Sequence, residues 1–142
     1  MARIRAFLCL SGPDRILLLR ALVWVLVARL AVAVLPFGRV DALVRTTARA
    51  RPRAVRVDPA RAGWAVARVA AVVPGATCLT QAVAARMVLG GSDRASRLVI
   101  GVRRIGGVVQ AHAWVVSGSE MVVGHRDDLD SFVPLSVPDP VS

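Results

Sequence analysis

At 142 residues the chain is long enough to bury a core but too short for several domains. Hydrophobic residues make up 56 % of it and tyrosine is absent, so the core has to be built from Val, Ala and Leu. The formal charge of +10 comes from arginines scattered without interleaved aromatics, which argues against a nucleic-acid surface.

In chain order, residues 1 to 10 read as a short mixed segment carrying Arg3 and Arg5. Ser11-Gly12-Pro13-Asp14 has the form of a capping box with proline near the first helical position. The helix it opens runs to Leu35, where Pro36-Phe37-Gly38 ends it. Arg20 and Arg29 interrupt its apolar run, which argues against a signal peptide or membrane span and for a core helix. Leu17, Leu18, Val23, Leu26, Leu30 and Val34 nevertheless spread around much of it. Some of these residues are therefore expected to stay exposed, for docking to a partner or touching a membrane surface peripherally.

Arg39 to Ala50 reads as a shorter amphipathic helix with Leu43 and Val44, and Arg51 to Pro59 as a proline-punctuated connector. Ala60 to Val73 is predicted helical, with Trp64, Ala67, Ala71 and neighbouring valines as its buried face. Pro74-Gly75 break the chain, Thr77 is a good N-cap, and Cys78 to Leu89 reads as helix until Gly90-Gly91 stops it. Ser92 to Ser96 is a polar loop, Arg97 to Val102 a strand and Gly106-Gly107 a turn. The strand Val108 to Val116 follows, then Ser117-Gly118-Ser119 as a hairpin turn and Glu120 to Val123 as the returning strand. From Pro134 onward the chain reads as loose. Helices first and a small antiparallel sheet last make the fold α+β, divided as a helical section 1–58, a core 59–135 and a tail 136–142.

Two residues carry the chemistry. Cys78 falls in the first turn of its helix, where unpaired backbone N–H groups and the positive end of the dipole favour a thiolate. His112 falls on an alternating strand that puts Gln110, His112 and Trp114 on one face and Val109, Ala111, Ala113 and Val115 on the other. Taken singly, Cys78 reads as a small buried hydrophobe and His112 as a core histidine. Together they supply the nucleophile and the proton shuttle of a cysteine peptidase. A third group to orient the imidazole is left open between Asp127 or Asp128, reaching back from a loop, and Gln110. His125 is expected at the hairpin end, pointing to solvent. No paired ligand spacing supports a metal site from Cys78, His112 and His125, and no cofactor is expected. Cys9 and Cys78, with no export signal ahead of them, read as free thiols of a reducing, cytoplasmic compartment.

A helix-start cysteine followed by a strand histidine is the order of papain-like and transglutaminase-like enzymes. The phrases Ala76-Thr77-Cys78-Leu79-Thr80-Gln81-Ala82, Leu98-Val99-Ile100-Gly101-Val102, Ala111-His112-Ala113-Trp114-Val115 and Phe132-Val133-Pro134-Leu135 go further. With the Leu-rich helix ending in Leu35-Pro36-Phe37, they resemble the bacterial lasso-peptide leader peptidases, in the stand-alone form without a fused leader-recognition domain. The resemblance implies N-terminal helices ahead of a papain/transglutaminase-like core, and a cysteine peptidase that removes the leader from a ribosomally made precursor peptide. It implies as partners a separate leader-recognition protein and an ATP-dependent, asparagine-synthetase-like cyclase. Transglutaminase-like enzymes place an Asp on the strand after the histidine hairpin, whereas here that region is Val122-Val123-Gly124-His125. An acyl transferase of the same fold, or a non-catalytic scaffold for the cyclase or a membrane surface, are the competing readings.

Overall fold

A helix that is apolar on every side must be covered on every side. Cys78–Leu89 is such a helix, and eight of its twelve residues are buried, from Thr80 to Leu89. The computed structural model describes residues 2–50, 57–90 and 96–135. In chain order these form α1 (Ala2–Leu8), α2 (Gly12–Val34), α3 (Phe37–Ala50), α4 (Pro59–Ala70), α5 (Cys78–Leu89), β1 (Ser96–Ile105), β2 (Val108–Ser117), β3 (Glu120–Val123), a 3-10 turn (Leu129–Ser131) and β4 (Val133–Leu135). α5 packs against α2, α3 and α4 on one side and against the sheet on the other. The fold is α+β, with the helices first.

Alanine makes this packing close. Ala21 and Ala28 of α2, Ala62 and Ala65 of α4, and Ala82, Ala84 and Ala85 of α5 are wholly buried. One hydrophobic cluster runs from Leu17 through these helices to Ala113 and Val115 of β2 and Val122 and Val123 of β3. Such small side chains let helix axes approach to the short end of the usual ~8–10 Å range. Gly63 of α4 lies directly on β3, where an added Cβ would fall inside contact distance of the Val122 carbonyl oxygen. Backbone cannot yield as a flexible side chain would. Gly63→Ala is therefore expected to cost about 1–3 kcal/mol, read as a lower midpoint in urea unfolding at unchanged m-value.

The sheet has the order β3-β2-β1-β4 and is antiparallel throughout. Gly106 and Gly107 form the two-residue turn between β1 and β2, which sets Gly101 opposite His112.

The caps confirm several predicted boundaries. The Ser11 side chain accepts from the Asp14 amide at the start of α2, and the Thr77 side chain accepts from the Thr80 amide at the start of α5. Other elements differ from expectation. The first ten residues include a helix, α1, whose Ile4 and Leu8 stand one turn apart on its exposed side. α3 starts at Phe37 rather than Arg39. α4 starts at Pro59, capped by the Asp58 side chain, and ends at Ala70 rather than Val73. Its buried face is Ala62, Gly63, Ala65, Val66 and Val69, while Ala67 and Ala71 are exposed. Gly63 draws that face onto β3, and half-buried Trp64 lies to the side beneath the Arg68 guanidinium, 5.8 Å from its ring centre. β1 continues through Arg103 and Arg104 to Ile105. Val133–Leu135, expected to run into a loose end, is a strand that places Pro134 opposite Gly101. It lies at the sheet edge, where a residue lacking an N–H is tolerated. The predicted connector at 51–56, the polar loop at 92–95 with Gly91, and the tail 136–142 lie outside the described residues.

Candidate active site

The segment before α5 is fastened to the helical layer. Gly75 takes a positive φ of 73°, and Arg29 of α2 donates from Nε to the Pro74 carbonyl at 3.0 Å. Thr77 then caps the helix, so Cys78 is its first residue and stands half-buried. The amides of Cys78 and Leu79 precede the first residues that a carbonyl of the helix can serve. Both cysteines are free thiols.

His112 comes from the middle of β2 and is 8 % exposed. Its Nε2 lies 2.8 Å from the Gly124 carbonyl oxygen. A carbonyl can only accept, so Nε2 carries the hydrogen and Nδ1 of the neutral ring presents its lone pair. Gly124 reaches this position with φ at 94°, and a Cβ there would fall 2.5 Å from the Trp114 Cβ. Glycine is thus the residue that lets the carbonyl come this close. Trp114 stacks near the imidazole at 6.0 Å between centroids, and Phe132 is tilted against it at 5.7 Å.

Cys78 and His112 line one cavity of about 320 Å³. Gly63 and Ala67 of α4 form its far wall, and Gln81, Gly124 and His125 complete it. His125 is exposed yet borders this cavity. Gln81 stands one helical turn after Cys78 and donates from Nε2 to the Ala76 carbonyl at 3.3 Å. Sequence reasoning passed over Gln81, although its spacing of three from Cys78 already put it on the same helix face.

The carboxylates lie elsewhere. Asp128 accepts from Arg126 Nε at 2.7 Å and Nη2 at 3.0 Å, and from Arg103 Nη1 at 2.5 Å. Gln110 accepts from Arg103 Nε at 2.8 Å. Asp127 is exposed in the turn after β3. Thus the group hydrogen-bonded to the imidazole is a backbone carbonyl, while Asp128 and Gln110 are joined to guanidinium groups. Among the described residues no group of three His, Cys, Asp or Glu side chains is placed to hold a metal ion. Arg126 is held above its ordinary basicity, first by its hydrogen bond to Asp128, then by that residue's charge and finally by Cys78.

The hydrogen bond from Arg126, followed by that from Arg103, holds the Asp128 carboxyl well below its ordinary 3.8. A carboxyl depressed in the folded state stabilises the fold above its unfolded value, and that contribution fades as pH falls through the folded one. Asp128→Asn is therefore expected to lower the thermal midpoint at pH 7. The gap from the parent should close as the pH is taken below about 4. Thermal unfolding across a pH series measures it, and a gap that stays the same size from pH 7 down to pH 2 would contradict the assignment.

The sequence matches the transglutaminase-like superfamily over residues 22–137. No curated protein and no solved structure matches the chain.

Proposed function

The chain belongs to the transglutaminase-like superfamily, and from that premise we propose that it is a cysteine peptidase that removes the leader from a lasso-peptide precursor. The observation that carries the chemistry is the cavity shared by Cys78 and His112, with Nε2 tied to the Gly124 carbonyl. That bond makes Nδ1 the ring nitrogen able to accept the proton of the thiol across the shared cavity. The proton passes from Sγ to Nδ1, and Sγ attacks the carbonyl carbon of the scissile bond. The resulting oxyanion is met by the Cys78 and Leu79 amides at the positive end of α5, with the Gln81 amide beside them. Nδ1 then returns the proton to the leaving amine, and a thioester remains on Cys78. Water activated by the same imidazole hydrolyses that thioester.

The lasso-peptide assignment rests on the resemblance of the four quoted phrases, taken in order along the chain. It places the reaction in the cytoplasm, where the precursor is made. It also supplies the partners: a separate leader-recognition protein, and an asparagine-synthetase-like cyclase that takes over the freed N-terminus. Incubation with the precursor from the same gene neighbourhood, followed by mass spectrometry, tests the reading. Two fragments whose masses sum to precursor plus one water are expected. Cleavage should accelerate when the recognition protein is added, because the local concentration of substrate rises. If an added primary amine is incorporated in place of water, the chain is an acyl transferase. An intact precursor with all three proteins present would overturn the peptidase assignment.

A further inference from the structure

α2 is apolar on both of its long faces, and among the described residues only one of them is covered. Leu17, Ala21, Val25, Ala28 and Ala31 are buried, toward α4 and α5. On the opposite side Ile16, Leu19, Val23, Leu26 and Leu30 are each half or more exposed. These five follow one another at steps of three, four, three and four, and exposed Ala33 continues the series. A 3.5-residue repeat marks a seam that another helix lies along, with β-branched Ile16 and Val23 alternating with Leu19 and Leu26 as in two-stranded packing. Helical geometry sets Arg15 and Arg29 along one edge of the seam and Arg20 along the other. Arg15 and Arg29 are fixed to the body of the protein, donating from Nε to the Leu10 and Pro74 carbonyls at 3.0 Å each.

We propose that this face of α2 is the docking seam for one amphipathic α-helix of a separate protein, apolar along its own seam and acidic at the flanking positions. The charges select against a second copy of this chain. Parallel pairing would set Arg15 against Arg20 of the second copy, and antiparallel pairing about the helix centre would set Arg15 against its Arg29. Glutamates flanking a partner helix meet all three arginines with opposite charge. A bilayer is the poorer occupant, although α2 is long and apolar enough by length and composition to cross one. The exposed seam is wholly aliphatic, without the Trp or Tyr that anchor a helix at a lipid interface. The seam also ends beside the chemistry, since Arg29 holds the Pro74 loop that leads to Cys78. This surface stands independently of the peptidase assignment.

The test uses two synthetic fluorescent helical peptides with the same Ile/Leu seam, one flanked by glutamates and one by arginines, titrated with the full chain and read by anisotropy. The glutamate peptide should bind at least about tenfold more tightly, with an affinity that falls as salt is raised. Leu19→Glu and Leu26→Glu, both at exposed positions, should abolish its binding with unchanged far-UV circular dichroism, and Leu26→Met should retain it. Equal affinity for the two peptides, or no binding of either, would overturn the proposal. So would sedimentation of the free chain as a stable dimer that Leu26→Glu dissolves. Partition onto anionic phosphatidylglycerol vesicles, with the glutamate peptide ignored, would assign the face to a membrane instead. None of these readouts involves cleavage, so an inactive enzyme leaves the result interpretable.

Discussion

Cys78→Ala is expected to remove precursor cleavage by more than about 10³-fold, because the bond-forming atom itself is deleted. Cys78 is half-buried at the first position of α5, packed against the edge of the core rather than inside it. The start of the helix is held instead by Thr77, whose side chain serves the Thr80 amide, and by the Gln81 bond to Ala76. The unfolding midpoint should therefore stay close to that of the parent, which separates lost chemistry from lost structure. Cys9 is exposed just after α1, and Cys9→Ala should cleave normally. A thiol reagent gives an independent readout: it should inactivate the parent and the Cys9 variant alike, with one equivalent bound at Cys78. Full activity of Cys78→Ala, or equal loss in both variants, would end the assignment of Cys78 as nucleophile.

α5 was legible because its signals are local. A threonine cap, a run of good helix formers and a glycine stop bound it within the segment itself. The β1–β2–β3 meander was legible for the same reason, through its two glycine-bearing turns. What escaped depends on distant partners. β4 is three residues long and contains proline, so nothing local distinguishes it from loop; it exists because β1 offers an open edge to Val133–Leu135. The buried face of α4 was misjudged because a tryptophan outweighs a glycine in any apolar pattern. In the folded chain, Gly63 is what permits contact with Val122, and Trp64 is left at the margin under Arg68. The charges of Arg103 and Arg104 concealed the second half of β1, since Arg103 finds Asp128, Ser131 and Gln110 only once β2 and the 3-10 turn are in place.

The hydrogen-bond partner of His112 was invisible for a deeper reason. Sequence reasoning searches for side chains and weighed Asp127, Asp128 and Gln110. Every residue carries a carbonyl, so the one that reaches Nε2 leaves no mark except the glycine that brings it there. Nor did the sequence reveal that Arg126 and Arg103 together occupy Asp128.

His112→Ala is expected to lose about 10²–10⁴-fold in turnover, the usual range for removing a positioned acid–base group. Alkylation of Cys78 near neutral pH should slow with it, because the group that takes up the thiol proton is gone. His112 is also buried between Trp114 and Phe132, so the alanine variant opens a void, and some of its loss will come from the fold. His112→Gln separates the two contributions. A glutamine Nε2 can donate to the Gly124 carbonyl much as the imidazole does, and it fills more of the same space. It has no lone-pair nitrogen to accept a proton at neutral pH. The glutamine variant should therefore unfold at a midpoint nearer the parent than the alanine variant while remaining as inactive, with Cys78 alkylation as slow. If its activity returns along with its stability, His112 is a packing residue and the base lies elsewhere, with His125 on the rim of the same cavity as the next group to substitute.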